Sequence, residues 1–177
     1  MSRSVLLLRA VNVSGRNKVP MVRLREVLEA ETDLVEVSTY IASGNIICTT
    51  PKKPVAACKA VHAAIAAEFG VETPVIHRTH GQLVASEKAQ PFPEGEEKFV
   101  HAMFLEGPSK AGAVAALEER LLPEERLALI GDDLWIDYGS GGVHSTKLTT
   151  AVLDRALGVA GTARNLRTVR KLIELTA

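Results

Sequence analysis

Cysteine, aromatic residues and net charge are all scarce in this 177-residue chain. Cys48 and Cys58 lie in apolar contexts and form no C-x-x-C pair. A disulfide framework needs more cysteines in a smaller chain, so both are expected to be reduced and the protein cytoplasmic. Seven aromatic residues leave little material for a platform on which nucleobases stack. Lysine plus arginine equals aspartate plus glutamate at 21 each, so no global positive field exists to hold an extended polyanion through counterion release. Long apolar runs are missing too. The run at residues 5–8 is stopped by Arg9, too early for a secretory apolar region, and no later segment approaches a membrane span, so no membrane association is expected.

What is present is the material of a folded protein. At 46% hydrophobic and 24% charged residues the chain can bury a sizeable core, as one ordinary domain or two very small ones. The zero charge sum also conceals a pattern. Residues 1–25 carry six bases and no acid, residues 91–137 four bases against eleven acids, and residues 144–177 six bases against two acids. Two basic ends flank an acidic middle.

The near-continuous apolar run 5–11 predicts a central strand covered on a buried face. Pro20 opens a helix whose Met21, Leu24 and Leu28 share one face. Alternation over 35–41, turn chemistry at Ser43-Gly44-Asn45 and the apolar residues 46–48 predict a hairpin. Pro54 starts a second helix closed by Gly70, and residues 72–78 form a strand that Pro74 confines to a sheet edge. The order is βαββαβ, the ferredoxin-like signature. A short helix at 80–87 and a connection to residue 97 lead to a second set. It comprises a strand at 98–105, a helix at 108–122, a hairpin of 127–130 with 134–138, and helices at 145–157 and 163–175. The expected domains are therefore residues 1–82, a connection 83–97, and a βαββαα half over 98–177. The fold class is α+β, two ferredoxin-like halves with antiparallel sheets and an extra C-terminal helix.

In a ferredoxin-like sheet the first and third strands are antiparallel neighbours, so the loop 12–18 should meet the turn 43–45. Arg9, Asn12, Arg16, Lys18, Ser43 and Asn45 would then share one sheet edge, with Gly15 and Gly44 permitting close backbone approach. Cationic and amide donors beside exposed backbone N–H groups describe an anion site. The same residues also suit loops that satisfy their own turns. A second constellation, Gly139 to Lys147, joins a glycine-rich turn to a helix without being a Walker A loop. Ser145 there is equally a plain N-cap. A third places Arg164, Arg167 and Lys171 on one face of the last helix, opposite a buried stripe of Leu166, Val169 and Ile173. Its plainer interpretation is a solvated cationic face. His77 and His80 form an H-x-x-H step without further ligands at metal spacing, so no metal and no cofactor are expected. No triad or acid–base pair stands out.

Six segments carry a family resemblance. They are residues 9–21, beginning Arg9-Ala10-Val11-Asn12; Thr39-Tyr40-Ile41-Ala42-Ser43-Gly44-Asn45; Pro91-Phe92-Pro93; Phe104-Leu105; Ser145-Thr146-Lys147-Leu148-Thr149; and residues 162–172, beginning Thr162-Ala163-Arg164-Asn165. In this order they resemble the bacterial family called domain of unknown function 1697. Its patterns include R-G-I-N-V-G-G-x-N-K-V-x-M, T-Y-I-Q-S-G-N and T-x-R-N-W-N-T-V-x-K-L. The resemblance implies the α+β fold and no known reaction. It places the family's polar motif positions on Arg9, Asn12, Asn17, Lys18, Tyr40, Ser43, Gly44, Asn45, Lys147, Arg164, Asn165, Thr168 and Lys171. The chain departs from the pattern at Ala10 and Ser14, each for glycine, at Leu166 for tryptophan and at Arg167 for asparagine. Thr146 also separates the serine from the lysine.

The expected function is binding of a small anionic ligand, phosphorylated or carboxylated, in a polar cationic cleft lined by these motif residues. One alternative is a nucleic-acid-binding module, with Tyr40, Trp135 and Tyr138 as its candidate stacking residues. Another is a protein-interaction domain presenting an exposed apolar patch.

Overall fold

The computed structural model describes residues 1–177. The chain divides into two compact units, one of Met1–Leu83 with Leu172–Ala177, the other of Val84–Lys171. No helix is long and apolar enough to cross a membrane.

In the first unit β1 (Arg3–Leu8) is the central strand of an antiparallel sheet ordered β2-β3-β1-β4. It pairs with β3 (Asn45–Thr49) in the register Leu7↔Asn45 and with β4 (Val75–Thr79) in the register Leu7↔Ile76. β2 (Ser38–Tyr40) closes the other side, and β4 lies at the edge, where Pro74 immediately precedes it. Helix α1 (Met21–Glu31) buries Leu24, Val27 and Leu28 at helical spacing and ends where the Thr32 N–H and hydroxyl both reach the Leu28 carbonyl. Helix α2 (Pro54–Phe69) starts on proline and stops at Gly70, whose φ of 65° a side chain would resist. The core joins Leu6, Leu8, Ile46, Cys48 and Val75 of the sheet to Leu24 and Leu28 of α1 and Val61 and Ile65 of α2. Burial of each leucine contributes about 2 kcal/mol.

Two strand boundaries fall short of the periodicity. β1 ends at Leu8 because Ala10 and Asn12 adopt φ of 54°, outside the extended region, and β2 begins only after Glu36 at φ 55°. Helix α3 (His80–Ala89) follows β4 directly.

The second unit repeats the order. β5 (Val100–Leu105) is central in an antiparallel sheet ordered β6-β7-β5-β8. β6 (Arg126–Ile130) and β7 (Asp133–Asp137) form a hairpin across Gly131. Met103, Leu105, Leu134 and Ile136 pack with Leu117 of α4 (Ala113–Glu118) and Leu153 and Leu157 of α6 (Thr150–Leu157). The helix expected over 108–122 is only six residues long, and Gly112 at φ 79° delays its start to Ala113. The helix expected over 145–157 is two helices, α5 (Gly142–Ser145) and α6. Ser145 is the last residue of α5, and Thr149 caps α6 by accepting from the Val152 N–H at 3.2 Å.

The largest departure is at residues 161–165, expected to begin the last helix. They form β8 (Gly161–Asn165), which pairs with β5 in the register Leu105↔Gly161 and Ala102↔Arg164, and α7 (Leu166–Thr176) starts only afterwards. Gly161 is no helix spacer. A Cβ there would lie 2.8 Å from both Leu105 and Met103 side-chain atoms, so glycine is what lets this edge strand close onto β5. With β8 the second unit is βαββαβ plus a helix, not βαββαα.

Candidate functional site

The loop after β1 and the β2–β3 turn do meet. The Leu8 N–H donates to the Gly44 carbonyl at 2.9 Å, extending the β1–β3 ladder by one step. Gly44 has φ 86°, and a Cβ there would stand 2.8 Å from the Leu8 Cβ, so both conformation and space require glycine. Asn45 is fully buried and closes the turn, its Nδ2 donating to the Tyr40 carbonyl at 2.9 Å and the Ser43 hydroxyl at 3.2 Å.

Asn12 ties the two segments together. Its Nδ2 donates to the Val19 carbonyl at 2.9 Å and the Ala42 carbonyl at 2.8 Å, while its Oδ1 accepts from the Val19 N–H at 2.8 Å. Asn17 adds a bond from Nδ2 to the Ala10 carbonyl at 2.9 Å, and its own carbonyl accepts from the Asn12 N–H. Ala10, Asn12, Ser14, Gly15, Asn17, Ile41 and Gly44 all have positive φ in these two short segments. Each non-glycine in that region costs about 1 kcal/mol or more, which the asparagine bonds offset. The Arg9 backbone is clamped by Thr73, whose hydroxyl accepts from the Arg9 N–H at 2.9 Å and donates to the Arg9 carbonyl at 2.8 Å. Thr73 lies 64 residues away in sequence, and no local spacing reveals it.

Three of the expected ligand-contacting amides, those of Asn12, Asn17 and Asn45, are thus committed to the backbone. Arg16 and Lys18 are exposed and make no ion pair, and the turn between Val13 and Arg16 presents Ser14 and Gly15 to solvent. Tyr40 and Ser43 are half-buried in the β2–β3 turn.

The remaining motif residues belong to the second unit. The glycine-rich loop is stitched down by acids. Ser140 donates to Glu124 at 2.6 Å, the Gly139 N–H donates to Asp137 at 3.0 Å, and Gly139 packs on Glu124. Carboxylates occupy the Gly139 N–H and the Ser140 hydroxyl, and Lys147 is exposed at the far end. Arg164 does not share a helical face with Arg167 and Lys171. It lies on β8, 7% exposed, where its guanidinium donates to the Thr162 hydroxyl and the Ala163 carbonyl at 2.8 Å each. Burial pushes its pKa down to about 10. Asn165 accepts from the Thr168 N–H at 2.9 Å, capping α7, and Thr168 is buried. Lys171 is half-buried on α7. Arg126 forms ion pairs with Glu94 and with buried Asp137, and Arg170 with Glu87 and Glu97.

Of the stacking candidates, Trp135 and Tyr138 are buried. His80 of the H-x-x-H step faces the Thr176 hydroxyl at 3.0 Å.

The comparisons with known proteins agree with the fold and are silent on activity. A family model described as "Protein of unknown function (DUF1697)" matches residues 1–135. A solved structure of a conserved bacterial protein, SP0830 from Streptococcus pneumoniae, is 24% identical over 99% of each chain with a TM-score of 0.78. Among curated proteins none matches.

Proposed function

Because this chain belongs to the DUF1697 family of proteins of unknown function, whose description names no activity, we propose a function from geometry: the first unit binds a small anion, phosphorylated or carboxylated, at the turn 13–18. The observation that carries this is the division of labour in the loop. Asparagine side chains hold the backbone in a left-handed-rich shape, while Arg16 and Lys18 stay exposed without ion pairs. A protein that needed these cations only for solubility would not require so costly a scaffold beneath them. In this proposal Arg16 and Lys18 contact the anion and the Ser14 and Gly15 N–H groups face it. Arg9, Tyr40 and Ser43 border the site, and Asn12, Asn17, Gly44 and Asn45 position it. Lys147, Arg164, Asn165, Thr168 and Lys171 are not needed for it. Burial of Trp135 and Tyr138 deprives the nucleic-acid alternative of two of its three stacking residues.

A thermal-shift series with inorganic phosphate, nucleoside monophosphates, sugar phosphates and short carboxylates tests the proposal. At least one of these should raise the Tm of the wild type in proportion to the logarithm of its concentration, and Arg16→Ala and Lys18→Ala should abolish the shift. A shift retained by both variants overturns the site.

A further inference from the structure

The first unit also encloses a cavity of about 570 Å³, away from the loop 9–18. Its walls are the segment after α1, the end of β3 and the first turns of α2. Leu34, Val35, Ala57 and Ala60 make it predominantly apolar. Val35 at its wall is 53% exposed.

Lys52 and Lys53 line the cavity, are exposed and make no ion pair, and the one acid of the lining, Asp33, belongs to the segment after α1. Thr50, also in the lining, has a buried hydroxyl oxygen with no hydrogen-bond partner, whereas the neighbouring Thr49 hydroxyl donates to Glu36 at 2.8 Å. The Thr50 oxygen is too buried for a ligand to reach, which leaves Lys52 and Lys53 as the donors for a head group. The first turn of α2 has neither a side-chain cap nor an acid. The volume falls within the range of small-molecule sites, which combine apolar walls with a few convergent polar groups.

We propose that this cavity binds a small amphipathic carboxylate, with an aliphatic chain seated among Leu34, Val35, Ala57 and Ala60 and a carboxylate paired with Lys52 and Lys53. The two lysines select the head group, and the apolar walls supply most of the affinity.

Calorimetric titration of the full chain with decanoate, decanol and decyltrimethylammonium, each below its aggregation concentration, tests this. Decanoate should bind best. The double charge reversal Lys52→Glu/Lys53→Glu should weaken it by about tenfold or more, since one factor of ten corresponds to about 1.4 kcal/mol. Ala56→Trp, at an exposed helical position of the lining, should block all binding while the far-UV spectrum stays unchanged. Lys18→Ala should leave decanoate binding intact, which separates this site from the anion-binding turn. Three results overturn the proposal: no decanoate binding to the wild type, decanol or the ammonium binding as tightly as decanoate, or decanoate binding that survives Ala56→Trp in a folded protein.

Discussion

Gly44 and Gly15 both have positive φ, yet only Gly44 also lacks room for a side chain. Gly15 has nothing within 4 Å of the position its Cβ would take. Gly15→Ala therefore meets only the backbone penalty, about 1 kcal/mol, whereas Gly44→Ala adds the collision with Leu8 and should cost about 3 kcal/mol. Urea midpoints of the two variants measure the difference, and equal destabilisation would show that the Leu8 contact is not what fixes Gly44. The asparagines of the loop are likewise distinguished by use. Their residue type reads from sequence as a polar motif that could equally contact a ligand or close a turn. Only the placement of the Val19, Ala42 and Ala10 backbone groups shows that they are structural.

Among the elements, β8 and α7 show where sequence reasoning stops. Thr162-Ala163-Arg164-Asn165 runs into a strongly amphipathic stretch, and nothing local separates the two. Pairing with β5 overrides the helical continuation, and Asn165 is the hinge, the last residue of β8 and the cap of α7. Asn165→Ala should destabilise the protein by about 1 kcal/mol, and Asn165→Asp should retain most of that, as guanidinium denaturation would show. The first unit was far more legible. Pro20, Pro54, Gly70, Pro74 and the turn at 43–45 each marked a boundary, and topology alone brought the turn to the loop 12–18. In the second unit Gly112 and Thr149 carried boundary information that helical periodicity obscured. The cavity beside α2 left no trace in any motif, because its lining comes from three separate segments.

For the whole molecule, two units with one strand order and little visible sequence likeness mean that topology, not particular side chains, is what the halves share. Titration adds a limit at each end of the pH scale. Burial holds the imidazoles of His77 and His101 below their usual range, with Arg78 adding to the effect at His77. The unfolded chain therefore binds more protons below about pH 6.5, and stability falls as the pH drops through that value. Burial, assisted by Glu125, raises the Tyr138 hydroxyl to about 12. The native state then keeps a proton that the unfolded chain releases near pH 10, so stability is lost between about pH 10 and pH 12. Denaturant midpoints across pH should show both declines, with the acid one shallower in His77→Gln and His101→Gln and the alkaline one shallower in Tyr138→Phe. Unchanged slopes in these variants would assign the declines to other groups.

The side chain of Asn12 bonds to both its own loop and the β2–β3 turn, so neither segment can move without the other. A ligand arriving at Arg16 and Lys18 therefore meets a surface that needs no rearrangement. Association there should follow a single exponential whose rate rises linearly with ligand concentration and reaches no plateau, the kinetic signature of a site without a gate.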